Sequence, residues 1–249
     1  MKIAWDQLVS LSDKIQTYYG LESHSYYRDD LSYFAIFVST QHFNVEFEND
    51  ANLFLTDGEK IRAGKFVNKA DGIEYTTAHA ILKLALIAAG YEWKSFYLHT
   101  PSLGAKPVLR GIGNCQYPDV SLSHTKGGVV VGISWDYRIG VDVEKGDRRE
   151  ILDNARYFCT DNELKQAILH NQRNNEGYFV SLWVAKEAIL KSAGLGLLVN
   201  PTNIEIEVKT QKIVELRSKD LQPFDWELKI CQPTVSHLLA VALSKRIFQ

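Results

Sequence analysis

Phe54-Leu55-Thr56-Asp57-Gly58-Glu59 returns in the second half of the chain as Phe158-Cys159-Thr160-Asp161-Asn162-Glu163. Downstream of each lies a further match, Ala80-Ile81-Leu82-Lys83-Leu84-Ala85 against Ala188-Ile189-Leu190-Lys191-Ser192-Ala193. Phe54 precedes Lys83 by 29 residues and Phe158 precedes Lys191 by 33, so a small insertion would bring the two pairs into register. Two matches in the same order imply a duplicated unit. In this register, Ala78-His79 of the first copy stands where the second has Lys186-Glu187. Acidic chemistry is thus expected in one copy only. A pseudo-symmetric pair would leave a cleft between its halves, a natural place for a site.

Working outward, the unit reads as α+β. Trp5, Leu8, Ile15 and Tyr19 recur at helical spacing, with Gly20 as a stop. Tyr33–Ser39 and Phe43–Phe47 read as strands, rich in aromatic and β-branched residues. A helix start is expected at Thr56-Asp57 with Glu59 in its first turn, and a longer helix from Gly72 to Ala89. Pro101–Asn114 reads as loop. Three strands follow, Val120–His124, Val129–Trp135 and Ile139–Glu144, with a turn at Thr125-Lys126-Gly127-Gly128. Helices are expected at Asp161–His170 and Gly177–Ser192, and strands at Ile204–Val208, Trp226–Cys231 and Leu238–Leu243.

The composition suits a folded globular protein. Of 249 residues, 45% are hydrophobic and 23% charged, and the net charge is -2. A protein that grips nucleic acid usually carries a basic surplus, so no such partner is expected. Cys115, Cys159 and Cys231 are far apart and odd in number, which argues for reduced thiols rather than a disulfide framework or zinc site. The most apolar run, Ile81–Ala89, holds Lys83 and falls short of the ~18 residues of a membrane span. With Asp6 near the N-terminus, where an apolar leader would build, a soluble cytoplasmic protein is expected.

Three motifs could carry chemistry. In Gly140-Val141-Asp142-Val143-Glu144, residues two apart on a strand share a face, so Asp142 and Glu144 lie side by side. Paired carboxylates repel unless a cation lies between them, and Mg²⁺ prefers such hard oxygens. Trp183, Glu187 and Lys191 are four apart and share one helix face, with Lys186 near it. Ser121-Leu122-Ser123-His124 ends a strand before a glycine turn, where a hydroxyl, an imidazole and backbone N–H groups suit a phosphate. Adjacent strand residues point to opposite faces, so Ser123 and His124 make a poor nucleophile pair. Taken singly, each motif also reads as solvated surface charge, a helix-supporting ion pair or a lone surface histidine. Arg62, Lys65, Lys83 and Lys106 are further basic residues that could meet phosphate.

In combination, Ser-x-Ser-His, then Gly-Val-Asp-Val-Glu, then Trp183-x-x-Lys186-Glu187-Ala188-x-x-Lys191 resembles the 4′-phosphopantetheinyl transferase superfamily, in its two-lobed surfactin-synthetase-activating type. The interval from Asp142 to Glu187 is 45 residues. Phe54–Phe66 resembles that family's first-lobe helix and Gly104-Ala105-Lys106-Pro107 its Gly-Lys-Pro loop, here with Ala105 inserted. Lys83 stands where that helix commonly ends on arginine, and Glu74 lies near a position that is often basic.

The resemblance implies two similar α+β lobes in a pseudo-twofold arrangement: a helical extension over 1–30, a first lobe over 31–115 and a second over 116–249. It implies transfer of phosphopantetheine from coenzyme A to a serine of an acyl, polyketide or peptidyl carrier protein, releasing 3′,5′-ADP. Asp142, Glu144 and Glu187 would gather Mg²⁺. Glu187 would take the serine proton and Lys191 would neutralise the leaving phosphate. Lys186, His124 and Ser123, with Lys106 and Arg62, would bind the coenzyme's phosphates. Trp183 would pack the helix so that Glu187 faces the cleft. A monomer is expected, since the repeat already supplies two lobes. Two alternatives stay open: a non-catalytic binder of coenzyme A or carrier protein, and a metal-dependent nuclease. The spacing of Glu187 and Lys191 suits a helix and not the strand-borne Glu-x-Lys of nucleases.

Overall fold

A computed structural model of the chain describes residues 3–42, 45–101, 105–111, 117–169, 176–222 and 224–246, save the side chains of residues 197 and 246. It divides into two compact units, residues 1–99 with 107–136, and residues 100–106 with 137–249. Cys115 and Gly104 lie outside the described residues.

In the first unit, α1 (Trp5–Val9) and α2 (Leu11–Tyr19) are joined at Ser10, and Gly20 ends α2 in the left-handed region at φ 65°. The strands β1 (Ser23–Arg28) and β2 (Tyr33–Ser39) pair antiparallel. The stretch expected as a strand at Phe43–Phe47 is instead helical from Val45: α3 runs Val45–Phe54. Glu46 and Glu48 occupy its first turn, and the buried Phe47 and Ala51 sit four apart on one face. Then come α4 (Asp57–Ala63) and α5 (Lys69–Ala88). The expected loop after Pro101 contains a short strand, β4 (Val108–Gly111), because it finds a partner in β3 (Phe96–His99). Finally β5 (Asp119–Thr125) and β6 (Gly128–Ser134) complete a four-stranded sheet in the order β1-β2-β6-β5.

That sheet order corrects the expected lobe boundary near residue 115. β6 pairs with β2 along its whole length, Tyr33 opposite Ser134 to Ser39 opposite Gly128, so residues 117–136 belong to the first unit. Nor do the N-terminal helices stand apart as an extension. Leu8, Leu11 and Ile15 join Phe34, Ile36, Val38, Ile81 and Val131 in one core.

The second unit opens with β7 (Arg138–Lys145), followed by the short α6 (Arg149–Asp153), α7 (Asp161–Leu169) and α8 (Glu176–Ala193). The hairpin β8 (Ile204–Glu207) and β9 (Lys212–Leu216) and the long strands β10 (Phe224–Thr234) and β11 (His237–Arg246) complete it. β11 lies between β10 and β7 in a three-stranded antiparallel sheet. α8 covers this sheet, with Ala185, Ala188 and Ile189 packed with Ala240 and Ala242. Each unit is therefore α+β in its own right.

The repeat is visible as the same polar staple built twice, in a different register from the one expected. In the second unit the Lys186 ammonium donates to the Phe158 carbonyl at 2.7 Å and to Glu163 Oε2 at 2.6 Å, while the Thr160 N–H donates to that same carboxylate oxygen at 2.7 Å. In the first unit Lys83 donates to the Phe54 carbonyl at 2.8 Å and to Glu59, and the Thr56 N–H donates to Glu59 Oε2 at 2.7 Å. Lys83 therefore corresponds to Lys186, not to Lys191. The separations become 29 and 28 residues, and the insertion of four disappears. Each staple uses a glutamate both to cap a helix start and to neutralise a lysine from the following long helix.

The staples differ in their second partner. Glu163 Oε1 accepts the Ile206 N–H at 2.9 Å, whereas Glu59 Oε1 meets His79 Nδ1 at 2.8 Å. Burial pushes the Glu59 carboxyl up, but the hydrogen bonds from His79 and Lys83 outweigh it and hold the group at about 2. Lys186 has no exposed surface and Glu163 only 2%, so the charges of this pair are compensated by one another rather than by water.

Removing one member of a buried ion pair strands the other, at a cost of about 3–5 kcal/mol. Lys186→Ala is expected to lower the unfolding free energy by about that much in urea denaturation, and by more than Lys83→Ala does, because Glu59 keeps His79 as a partner. Equal losses in the two variants would contradict the difference in compensation.

Candidate active site

The second unit carries an acidic cluster on two elements. Asp142 and Glu144 lie on β7, 4% and 9% exposed, with Val141 and Val143 fully buried. Opposite Asp142 in the sheet stands the buried Ala240. Glu187 and Lys191 lie on α8. The two elements approach closely because Gly140 has no side chain: a Cβ there would meet the Ala188 carbonyl at 1.9 Å and the Ser192 nitrogen at 2.5 Å. Arg138 fastens the end of α8, its Nη1 donating to the Ala193 carbonyl at 2.9 Å, and the Ser192 hydroxyl donates to the Arg138 carbonyl at 3.1 Å.

The Lys191 ammonium donates to Asp142 Oδ1 at 2.6 Å. Arg148, in the turn before α6, donates from Nη1 to Glu144 Oε1 at 2.7 Å. Its guanidinium is held further toward the charged form, chiefly by that hydrogen bond. Between these engaged carboxylates, Glu187 Oε1 is buried without a hydrogen-bond partner among the described residues. Burial, and then the negative charges of Asp142 and Glu144, raise its carboxyl to about 7, against the pull of Lys191.

This donor set fits a divalent cation. Three carboxylates supply hard oxygen, Glu187 Oε1 is buried with no hydrogen-bond partner among the described residues, and like charges already oppose one another. Among the described residues no group of three or more His, Cys, Asp or Glu side chains is drawn together closely enough to hold a metal as it stands. Lys191 engages one oxygen of Asp142 and Arg148 one oxygen of Glu144. A cleft of about 490 Å³ opens beside Glu144 and Arg148, walled by Ile151, Tyr157, Phe158 and Trp183. Trp183 meets Phe158 edge-on at 5.1 Å.

The remaining sequence candidates fall elsewhere. Lys186, expected to bind phosphate, points into the core toward Glu163 and has no exposed surface. Five residues separate it from Lys191, which turns it to a different side of the helix. That expectation is corrected: its charge belongs to the staple. Lys106, in the second unit, donates to the Ile139 carbonyl at 2.7 Å at the start of β7. In the first unit, Ser123 is buried and His124 partly exposed, on opposite faces of β5. His124 Nδ1 lies 3.7 Å from Glu74 Oε2. Glu74, which the resemblance marks as out of place, is 3% exposed, and its other oxygen accepts the Gly127 N–H at 2.8 Å, securing the β5–β6 turn. Arg62 is exposed, its guanidinium 5.6 Å from the centre of the Tyr75 ring. Arg148 was not legible beforehand, since it follows Glu144 through a turn and no periodicity links them. The thiols Cys159 and Cys231 are free, and burial pushes Cys159 up to about 12.

The second unit is thus an α+β domain with an acidic, metal-suited site on one strand and one helix. Residues 138–242 match the family model described as the 4′-phosphopantetheinyl transferase superfamily. This stretch, which runs from β7 into β11, is thus similar to that superfamily. Among curated proteins it is similar to the 4′-phosphopantetheinyl transferase psf-1 of Bacillus pumilus, 34% identical over 37% of this chain and 37% of the relative. It is also similar to the L-aminoadipate-semialdehyde dehydrogenase-phosphopantetheinyl transferase of Xenopus laevis, 29% identical over 60% of this chain and 53% of the relative. The chain therefore spans about half the length of these relatives or less. A crystal structure of the holo-ACP-synthase of Plasmodium yoelii matches 43% of this chain and 91% of its own, at 28% identity and a TM-score of 0.36. Among the described residues no helix is long and apolar enough to cross a membrane.

A Cβ at residue 140 would force α8 off β7. Gly140→Ala is expected to cost about 1–3 kcal/mol in urea denaturation, as overpacking does. A variant as stable as the parent would show that the close approach carries no constraint. A second expectation concerns pH. The Glu187 carboxyl rises from 4.5 to about 7 on folding, so between those values the native chain binds more protons than the unfolded one. Stability from this group is complete below 4.5 and is lost as pH rises through 7, by about 3 kcal/mol in total. Glu59 shifts the opposite way, but below 4.5, outside this window. Urea denaturation of metal-free protein from pH 5 to 7.5 is expected to show this decline, and Glu187→Gln to remove it. A slope retained in Glu187→Gln would assign the titration elsewhere.

Proposed function

We propose that the chain transfers the phosphopantetheine arm of coenzyme A to a serine of an acyl, polyketide or peptidyl carrier protein, using Mg²⁺. The observation that carries this reading is the buried Glu187, raised to about 7 and facing two strand-borne carboxylates, within a stretch that matches the superfamily. The names of the two curated relatives, both phosphopantetheinyl transferases, support it.

Asp142, Glu144 and Glu187 would hold the metal. When bound, Mg²⁺ supplies a positive charge that polarises the pyrophosphate and offsets charge developing in the transfer. The serine hydroxyl oxygen attacks the phosphorus on the pantetheine side. The bond from that phosphorus to the bridging oxygen breaks, and 3′,5′-ADP leaves. Glu187 receives the serine proton as general base. Lys191, 27% exposed and already beside the carboxylates, stabilises negative charge on the transferring phosphoryl oxygens. His124, Ser123, Lys106 and Arg62 are further candidates to hold the coenzyme's phosphates. The chain would act as a monomer in the cytoplasm, without nucleic acid or membrane.

Intact-mass measurement of apo carrier proteins, incubated with the chain, coenzyme A and Mg²⁺, is expected to show one added phosphopantetheine, and none when EDTA is present. Glu187→Gln should lower the rate by about 10²–10⁴-fold while calorimetry still shows coenzyme A binding. Coenzyme A binding without transfer to fatty-acid, polyketide or peptide carriers would point to a non-catalytic binder. Nicking of plasmid DNA in place of transfer would point to a nuclease.

A further inference from the structure

We propose that Arg148 is a built-in counter-ion that occupies Glu144 until a divalent cation arrives, and thereby sets the cation concentration at which the site loads. The inference rests on the assignment of the metal to Asp142, Glu144 and Glu187. Three geometric observations carry it.

First, Glu144 has a side chain only 12% exposed, so bulk water cannot solvate its charge fully, and Arg148 meets it at 2.7 Å. A cation and a guanidinium on the same largely buried carboxylate repel one another, so the two compete for Glu144. Second, Arg148 is free to leave. It lies in a turn, its side chain is 43% exposed, and it borders the cleft of about 490 Å³. Third, it has somewhere to go. Its Nε already stands 3.8 Å from Glu150 Oε2, and Glu150 is 76% exposed and outside the acidic cluster. Arg148 is thus an arm with two carboxylate partners, one inside the site and one beyond it. Exchange of partner conserves charge: the cation replaces the guanidinium on Glu144, and the guanidinium moves to a solvated carboxylate.

The test is Mn²⁺ binding to the full chain, followed by the electron paramagnetic resonance of the free ion, with Mn²⁺ as the probe for a hard-oxygen site. Arg148→Gln removes the competitor and is expected to tighten Mn²⁺ binding about fivefold, the exchange value of a partly exposed ion pair. Arg149→Gln is the control. It removes the same charge one residue on, from a side chain that is 85% exposed and pairs with Glu176 at 3.8 Å, and should leave Mn²⁺ affinity unchanged. The gap between Arg148→Gln and the parent should narrow at high salt, where the pair is screened in both states. If Arg148→Gln binds no tighter than Arg149→Gln while Asp142→Asn loses Mn²⁺, the counter-ion role is overturned and the metal assignment stands. If Asp142→Asn and Glu144→Gln bind Mn²⁺ as the parent does, the metal assignment itself falls, and the role of Arg148 with it.

Discussion

A helix can deliver a carboxylate to a strand-borne pair only if its backbone lies against the strand. In the second unit that contact is made at Gly140, where the space of a side chain is filled by the Ala188 carbonyl and the Ser192 nitrogen. Glu187 and Lys191 immediately precede these two residues on α8, and two and four residues along β7 stand Asp142 and Glu144. The alanines of α8 and of β11 serve the same end, keeping the layers thin so that long polar side chains can reach across. The acidic cluster is thus a consequence of steric economy next to it.

The cluster is not at electrostatic rest. Two of its carboxylates have drawn in cations, Lys191 and Arg148, and the third has one buried oxygen without a hydrogen-bond partner among the described residues. A structural ion pair looks different, as the Glu163–Lys186 staple shows: both glutamate oxygens are engaged, and the lysine is sealed from water. The contrast separates the fully compensated charges of the staple from the partly compensated charges of the cluster. The first unit repeats the staple in Glu59 and Lys83 but has no counterpart to the cluster among the described residues. In the corrected register Glu187 aligns with Leu84, and Lys191 with Ala88. Duplication supplied the frame, and the acidic residues belong to one copy alone.

Much of this was legible beforehand because it is local. The period of two on β7 put Asp142 beside Glu144, and the period of four on α8 put Glu187 beside Lys191. The helix start at Thr56-Asp57 followed from its cap and the glutamate of its first turn. Errors arose where the deciding partner is distant. Val45–Phe54 is helical although its neighbourhood carries strand-forming aromatics, because Phe47 and Ala51 share a face that is buried. Residues 117–136 looked like the start of the second lobe, yet β6 pairs with β2, far earlier in the chain, and carries β5 with it.

The lysines of α8 mark the division most clearly. Composition and spacing determined that a helix here would carry two cations and one carboxylate, and that a strand upstream would present two more carboxylates. They could not decide which lysine would face which acid. Lys186 and Lys191 differ in sequence only by their place on the helix. The tertiary structure assigned one to the core and one to the site, because Glu163 and the Phe158 carbonyl pack against one side of α8 and β7 against another. Arg148 was decided in the same way: its partner is four residues distant, but a turn of the chain and not a periodicity brings them together. Local repetition is written in the order of residues, whereas the pairing of charges depends on what each face of an element is folded against.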